Sequence, residues 1–538
     1  MKGEFGYSPH SARSAISAVS LAFLLLLPGA AAQTPPPSHP ISDDILRHVR
    51  YLASDELTGR GVDTPGIELA RDYIAREFKG YGLVPGGEEK GGYFQGFDVV
   101  TGVKTQEPSV VRLGSAPPLT LNDGWLPLGL SRSGIAEGEV AFVGYGITAK
   151  DYGYDDYAGV DVKGKIALVL RYEPPPKSEQ SPFQKPPRSS RHAALRVKAA
   201  TAREHGALGM ILVDLHPERA GKKELISPTR TLGSDEVEIV AVQVRHEMIE
   251  RWLQEKGFSL RDLRERIDRE ERPASMPLPG LKASLALTLE KITRKTENVI
   301  GILPGSDPEL KNEFVVIGAH YDHLGLGHFG TLDTSAEGQI HNGADDNASG
   351  TAVLLSLARR LSQLPNRHPR TIIFTAFSGE ELGVYGSRHY VTHPPFPLPS
   401  TRAMINLDMV GRMRDNRMTV FGVDTAREFR TWVQEVAQKI GIELRLIPGG
   451  IGRSDHVPFH HKGIPVLHFF TGIHEDYHRP TDDLERLNLE GMIKVSDLVF
   501  MTVEKIASAR EPMTFVPLKP APARPQPIPT SPLPAQDP

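Results

Sequence analysis

The sequence predicts an α/β protein built on a doubly wound, mostly parallel sheet with helices on both faces, interrupted by a small β-rich module. Three observations predict it. From residue 298 onward, four continuous apolar runs, FVVIGA (314–319), TIIFTA (371–376), AMINL (403–407) and IPVLHFF (464–470), have the texture of strands buried on both faces. Between them, residues 352–361, 428–440 and 489–506 are compatible with covering helices, and strand and helix in alternation imply a parallel sheet. From about 121 to 287 the texture changes to short strands punctuated by glycine, at 139–142, 165–170 and 210–213, with helix-compatible stretches at 193–205 and 248–256.

The flanking elements follow the same rules. Residues 41–52 read as a short helix with apolar Ile45, Val49 and Leu52. Ile67, Ala70, Ile74 and Phe78 recur at helical spacing behind Pro65, a residue suited to a first helical turn, and Gly80 ends that helix. Lys2 and Arg13 precede the apolar run Ala15–Leu27, which Pro28 and Gly29 break before Ala30-Ala31-Ala32. This reads as a secretory signal cleaved after Ala32, because the run falls short of the ~20 residues needed to span a bilayer. The expected product is secreted or periplasmic, without stable membrane insertion after cleavage. The organisation predicted is a signal over 1–32, a first part of the main domain over 33–120, an inserted module over 121–287, the main domain over 288–512, and a Pro-rich, disordered tail over 513–538.

Composition narrows the chemistry. The 538 residues carry 62 Lys+Arg against 66 Asp+Glu, a net charge of -4, so no excess of positive charge is available for nucleic acid and none is expected as a partner. The chain contains no cysteine, which excludes disulfide scaffolds, thiolate zinc sites, iron–sulfur clusters and cysteine nucleophiles. Any metal must be held by His, Asp and Glu.

Such residues stand at the carboxyl ends of the predicted strands, where α/β sheets bind ligands. His320 and Asp322 follow the first run; Asp345 and Asp346 lie in GADDNASG before a helix; Glu380 and Glu381 follow the second run; Asp408 follows the third; Tyr477 and His478 follow the fourth. A lone Asp after a strand is usually a helix cap and a lone His a structural residue, but carboxylates converging on one rim repel one another unless cations neutralise them. Imidazole mixed with carboxylate favours zinc, with manganese or cobalt as substitutes. Two His and three acidic ligands exceed the needs of one catalytic zinc, and two metals sharing a carboxylate fit the count. The Glu380-Glu381 pair leaves its strand with side chains in different directions, so one can ligate while the other faces an attacking water as its base.

The motifs GAHYDHLG, HNGADDNASG, FSGEELG, INLDMVG, SDHVPF and DYHRPTD, in this order, resemble the co-catalytic zinc exopeptidases of the aminopeptidase Y and leucyl aminopeptidase family, and YLASDELTGRGVDTPG is similar to the family's opening. The resemblance implies two Zn2+ ions per chain, with His320 and Asp408 on one, Glu381 and His478 on the other, and Asp346 bridging, Asp345 being the fallback. It implies Glu380 as general base, Tyr477 as donor to the oxyanion, and Asp322 as acceptor of the second imidazole N–H of His320. For His323, His341, His461, His468 and His474 a structural or pocket-wall role is expected. The segment EVAFVGYGITAKDYGYDDYAGVDVKGKIALVLRYE, followed by KAATAREHGALGMILVD, resembles the protease-associated (PA) domain that interrupts many family members.

The expected function is therefore a secreted zinc exopeptidase, an aminopeptidase acting on the N-termini of peptides or proteins. A glutamate-carboxypeptidase-like enzyme is the nearest alternative and would need a cationic clamp, for which Arg412, Arg414 and Arg453 are the candidates. A receptor-like binding ectodomain would have lost the ligands, and a single-zinc glutaminyl cyclase-like transferase is disfavoured by His320.

Overall fold

A computed structural model describes residues 40–88, 91–178, 181–184, 190–215, 225–232, 237–450, 452–511 and 513–517. The predicted signal and the tail from 518 onward lie outside the described residues.

The four apolar runs form four adjacent strands, Thr371–Phe377, Phe314–His320, Thr401–Leu407 and Val466–Phe470, all paired parallel. Every residue of Phe314–His320 and Thr371–Phe377 is buried, which explains why the runs carry no polar alternation. The two faces of Phe314–His320 feed different cores. Val315, Ile317 and Ala319 pack with helices Pro40–Leu52, Gly66–Gly80, Gly350–Ser362, Phe429–Ile440 and Leu489–Ser508. Phe314 and Val316 pack with Tyr390 and Val391 of helix Tyr385–Thr392 and with Phe459 of the short helix His456–His461. Helices on both faces are the predicted doubly wound arrangement. Antiparallel strands flank the parallel set, Arg417–Phe421 against Val466–Phe470 and Met276–Leu303 against Thr371–Phe377.

The inserted segment has the same construction. Gly134–Phe142, Ile166–Leu170, Gly209–Val213 and Val240–Val244 pair parallel in that order. Ile166, Leu168 and Leu170 face one core with helices His246–Gln254 and Leu260–Glu270. Ala167 and Val169 face another core with Ala199 and Ala202 of helix Leu195–Glu204.

The two halves share a strand. Met276–Leu303 pairs with Gly134–Phe142 through its first half and with Thr371–Phe377 through Val299–Leu303, while Phe94–Leu113 runs antiparallel along most of its length. One continuous 14-stranded sheet results. This long ribbon is absent from the sequence prediction, because its middle, from Glu290 to Lys295, is exposed and, but for Ile292, polar and gives no apolar run. The second core reaches back to Val111 and Leu113, before the predicted start of the insert at 121. The predicted start of the tail at 513 also needs correction. Met513 is buried, Phe515 bridges Ala426, and the Val516 N–H donates to Thr425 O at 2.8 Å, so this stretch packs on the domain through apolar burial and backbone pairing.

Among the described residues no helix is long and apolar enough to cross a membrane.

Candidate active site

The carboxyl ends of the parallel strands bring His320, Asp346, Glu380, Glu381, Asp408 and His478 together. Asp346 is the centre. Its Oδ1 lies 3.3 Å from His320 Nε2, and its Oδ2 lies 3.2 Å from His478 Nε2. On the first side, Asp408 Oδ1 is 3.4 Å from His320 Nε2. On the second, Glu381 Oε2 is 3.1 Å from His478 Nε2. His320, Asp346 and Asp408 each offer a ligand atom within 4.8 Å of the others, as do His323, Asp346 and Glu381.

The loop carrying Asp346 is tied down at several points. The amides of Asp345 and Asp346 both donate to Asp482 Oδ2, at 3.0 and 3.1 Å. Asn347 Nδ2 donates to Leu407 O at 2.9 Å, and its Oδ1 accepts from Met409 N at 3.1 Å, which joins the loop to the strand end bearing Asp408. Gly343 enters the loop at φ +54, where a Cβ would fall 2.1 Å from Asp346 O and 2.4 Å from His323 Cδ2, so no side chain fits. Asp345 turns away from the cluster. Its Oδ1 accepts from Gly411 N at 2.6 Å and Ser349 Oγ at 3.0 Å, and its Oδ2 lies 3.2 Å from His474 Nε2.

Asp322 differs from the expectation. The group nearest His320 Nδ1 is the backbone carbonyl of Asp322, at 3.1 Å, while the carboxylate stands 3.7 Å away. The carboxylate accepts instead from the amides of Glu380 and Glu381, at 3.1 and 3.3 Å. Leaving strand Phe314–His320, the chain thus orients the imidazole with its backbone and the glutamate pair with its side chain.

Three contributors escape sequence reasoning. His323, expected in a structural or pocket-wall role, sets its Nδ1 2.6 Å from Glu381 Oε1 at the edge of the cluster. Asn347 is the loop tie described above. Arg60 is fully buried behind the site. Its guanidinium donates to Tyr321 O at 2.8 Å, Asn342 O at 2.7 Å, Gly343 O at 3.0 Å and Leu52 O, and its carbonyl accepts from His323 N at 3.2 Å. Both His323 and Arg60 lie inside the quoted motifs, and their spacing alone carried no chemical cue.

The remaining candidates are accounted for. His341 bonds Gln339 O and Thr331 Oγ1 at 2.9 Å each, and His461 is exposed. His468 stacks on His456 with ring centres 4.4 Å apart and contacts Asn406 Nδ2 at 3.1 Å through Nδ1. Arg412 is held by Asp476 at 2.6 Å, and Arg414 and Arg453 are exposed. Tyr477 stacks over the His478 ring, centre to centre 3.9 Å.

The electrostatics follow from crowding. Burial opposes charge on His320 and His478, yet Asp408 and Asp346 around the first, and Glu381 and Asp346 around the second, hold both imidazoles well above the usual range. Burial pushes Glu380 well up, His320 opposes, and Asp408, Glu381 and Asp455 add to the rise. Burial raises Asp455 to about 7 and Asp322 to about 6. Burial, together with Asp346, Glu381, Glu380 and Asp408, keeps the Tyr477 hydroxyl protonated and able to donate. Buried carboxylates gathered around protonated imidazoles are a site short of positive charge. His478 Nε2 points between two carboxylates without making a hydrogen bond to either, and His323 Nε2 is likewise unpartnered. Imidazole and carboxylate donors with orphaned ring nitrogens fit a borderline divalent cation.

The sequence model of Peptidase family M28 matches residues 298–503, which span every residue of the cluster, and the PA domain model matches residues 136–252. "Aminopeptidase YwaD" of Bacillus subtilis is 30% identical over 387 residues, 69% of each chain. A "Glutamate carboxypeptidase 2 homolog" of Caenorhabditis elegans is 29% identical over 219 residues, 35% of this chain and 26% of that one. Among solved structures, "Aminopeptidase from Aneurinibacillus sp. strain AM-1" superposes with a TM-score of 0.55 at 22% identity, over 89% of this chain and 96% of that one, a likeness of fold. With a relative 30% identical over more than two thirds of both chains and a family match that spans the strand ends holding the cluster, the chain belongs to Peptidase family M28 and carries an inserted PA domain.

Proposed function

We propose that the protein is a secreted zinc aminopeptidase that hydrolyses the N-terminal peptide bond with two zinc ions and Glu380 as general base. The observation that carries this reading is Asp346, whose two carboxylate oxygens face one imidazole each, His320 beside Asp408 and His478 beside Glu381. His320 and Asp408 would hold one ion, Glu381 and His478 the other, and Asp346 both. Zinc bound there supplies Lewis-acid polarisation of the scissile carbonyl and a water of lowered pKa.

The chain's own groups supply the rest. The Glu380 carboxylate accepts a proton from the attacking water and returns it to the departing amine nitrogen. Asp322, by binding the amides of Glu380 and Glu381, fixes which of the two faces the water. The Tyr477 hydroxyl donates to the carbonyl oxygen as it becomes an oxyanion. The aminopeptidase relative favours a free N-terminus as the recognised end. Of the arginines a carboxypeptidase would draw on, Arg412 is paired through Nη2 with Asp476 at 2.6 Å. Export is supported by the charged, apolar and small-residue pattern of residues 1–32.

The test measures zinc per chain, then compares hydrolysis of a free peptide with its N-acetylated and C-amidated forms, with Glu380→Gln as control. Loss of turnover on acetylation alone is the expected result. Equal turnover of acetylated peptide, or full activity in Glu380→Gln, would overturn the proposal.

A further inference from the structure

Arg230 belongs to the PA domain and reaches the loop that holds His478. It sits in the short turn Pro228–Thr231, which is anchored to its own module: Thr231 is buried, and its Oγ1 accepts from Gly129 N at 2.6 Å and donates to Pro228 O at 2.9 Å. From this turn the half-buried guanidinium donates through Nη2 to Thr331 O at 2.9 Å. Residues 330–332 in turn contact His478 at its ring and its backbone. Gly330 O lies 2.8 Å from His478 Nδ1, the ring nitrogen opposite the one facing Asp346 and Glu381. Leu332 N donates to His478 O at 3.1 Å, and Thr331 Oγ1 reaches the same carbonyl at 3.4 Å.

His478 needs such support. It stands at φ +55, a left-handed conformation unfavourable for a residue with a Cβ, which persists only where the surroundings over-determine it. The three-residue segment grips it at the ring and at the backbone. The outward carbonyl of that segment is held by a cation from the other half of the sheet. A charged donor makes a stronger bond to a carbonyl than a neutral one, and the partner of a ligating imidazole sets its orientation and basicity.

We infer that Arg230 is a positioning residue through which the PA domain sets the His478 imidazole, so that the inserted domain governs how tightly the ion on the His478 side is held. The inference rests on the proposed metal assignment, and it gives the insert a part in the site without contact with substrate.

The experiment uses the full chain and Zn2+ itself as probe. Zinc affinity is measured by competition with a chromophoric chelator for the wild type, Arg230→Met, Arg230→Lys and His478→Ala, alongside the melting temperature of each metal-free protein. Arg230→Met is expected to weaken about tenfold the zinc that His478→Ala loses, within the range typical of lost outer partners, while the other ion and the metal-free melting temperature stay unchanged. Turnover falls at limiting zinc and recovers at saturating zinc, and Arg230→Lys restores most of the affinity. Unchanged affinity for both ions in Arg230→Met, or a loss matched by a drop in metal-free melting temperature, overturns the positioning role. Wild-type stoichiometry in His478→Ala overturns the underlying metal assignment instead, whatever Arg230→Met does.

Discussion

Replacing Arg60 by Met removes a buried guanidinium that donates to four backbone carbonyls, those of Leu52, Tyr321, Asn342 and Gly343. A hydrogen bond from a charged donor contributes about 1.5–3 kcal/mol, so the four together amount to about 6–12 kcal/mol gross. Met also relieves the desolvation of a cation, which takes back several kcal/mol, and the net destabilisation expected is about 3–5 kcal/mol. Burial pulls the Arg60 guanidinium down to about 10, with Asp346, Asp322, Asp482 and Glu381 opposing, so the group is a cation at neutral pH and its loss also removes a counter-charge from the carboxylate cluster. Arg60→Lys keeps a charge without the planar fork and leaves at least one carbonyl unpaired, a deficit of about 1–3 kcal/mol. The assay is denaturant unfolding of metal-free and zinc-loaded protein, comparing midpoints at constant slope. Two of the four carbonyls belong to the loop that carries Asp346 and one adjoins Asp322, so the stabilisation gained on adding zinc should also shrink in Arg60→Met. A stability within about 1 kcal/mol of wild type, with the zinc-induced gain intact, would refute the reasoning, since unsatisfied buried carbonyls of this number cannot be that cheap.

Three further outcomes are expected. Glu380→Gln should lower kcat by about 10²–10⁴-fold while zinc content, measured by atomic absorption, stays at the wild-type value. Asp346→Asn should lose at least one zinc per chain, whereas Asp345→Asn should keep the full complement, because Asp345 Oδ1 is bound by Gly411 N and Ser349 Oγ and the side chain faces away from His320 and His478. His468 provides a pH dependence. Burial lowers it from 6.5 to about 4, so below its unfolded value the unfolded chain binds the extra proton, and folding stability is present in full above about 6.5 and lost as pH falls toward 4. The full shift corresponds to about 3 kcal/mol. His468→Gln should therefore lose that much less stability than wild type between pH 7 and 4 in denaturant titrations, and equal slopes would count against a neutral buried imidazole.

Much of the site was legible along the chain, for a reason visible in the four parallel strands. A strand buried on both faces leaves an apolar run in the sequence, and an α/β sheet binds its ligands where such runs end, so the residues following FVVIGA, TIIFTA and AMINL could be nominated from position alone. The choice between Asp345 and Asp346 was not legible this way, since neighbouring carboxylates in one loop look alike until the backbone turns one toward His320 and the other toward Gly411. The contact of His323 Nδ1 with Glu381 at 2.6 Å was hidden for a related reason: it arises between loops 58 residues apart.

The fold class, the exclusion of thiolate chemistry by the absence of cysteine, and the imidazoles and carboxylates at the strand ends are all readable along the chain, because burial and residue chemistry are written locally. What supports those groups emerges on folding. Arg60 and Arg230 act on carbonyls, and a carbonyl belongs to every residue, so no side-chain pattern marks which one a distant arginine will meet. The ribbon that joins the two halves of the sheet is polar where it is exposed, and its pairing is set by backbone register between Phe94–Leu113 and Met276–Leu303, across a separation the local sequence does not encode.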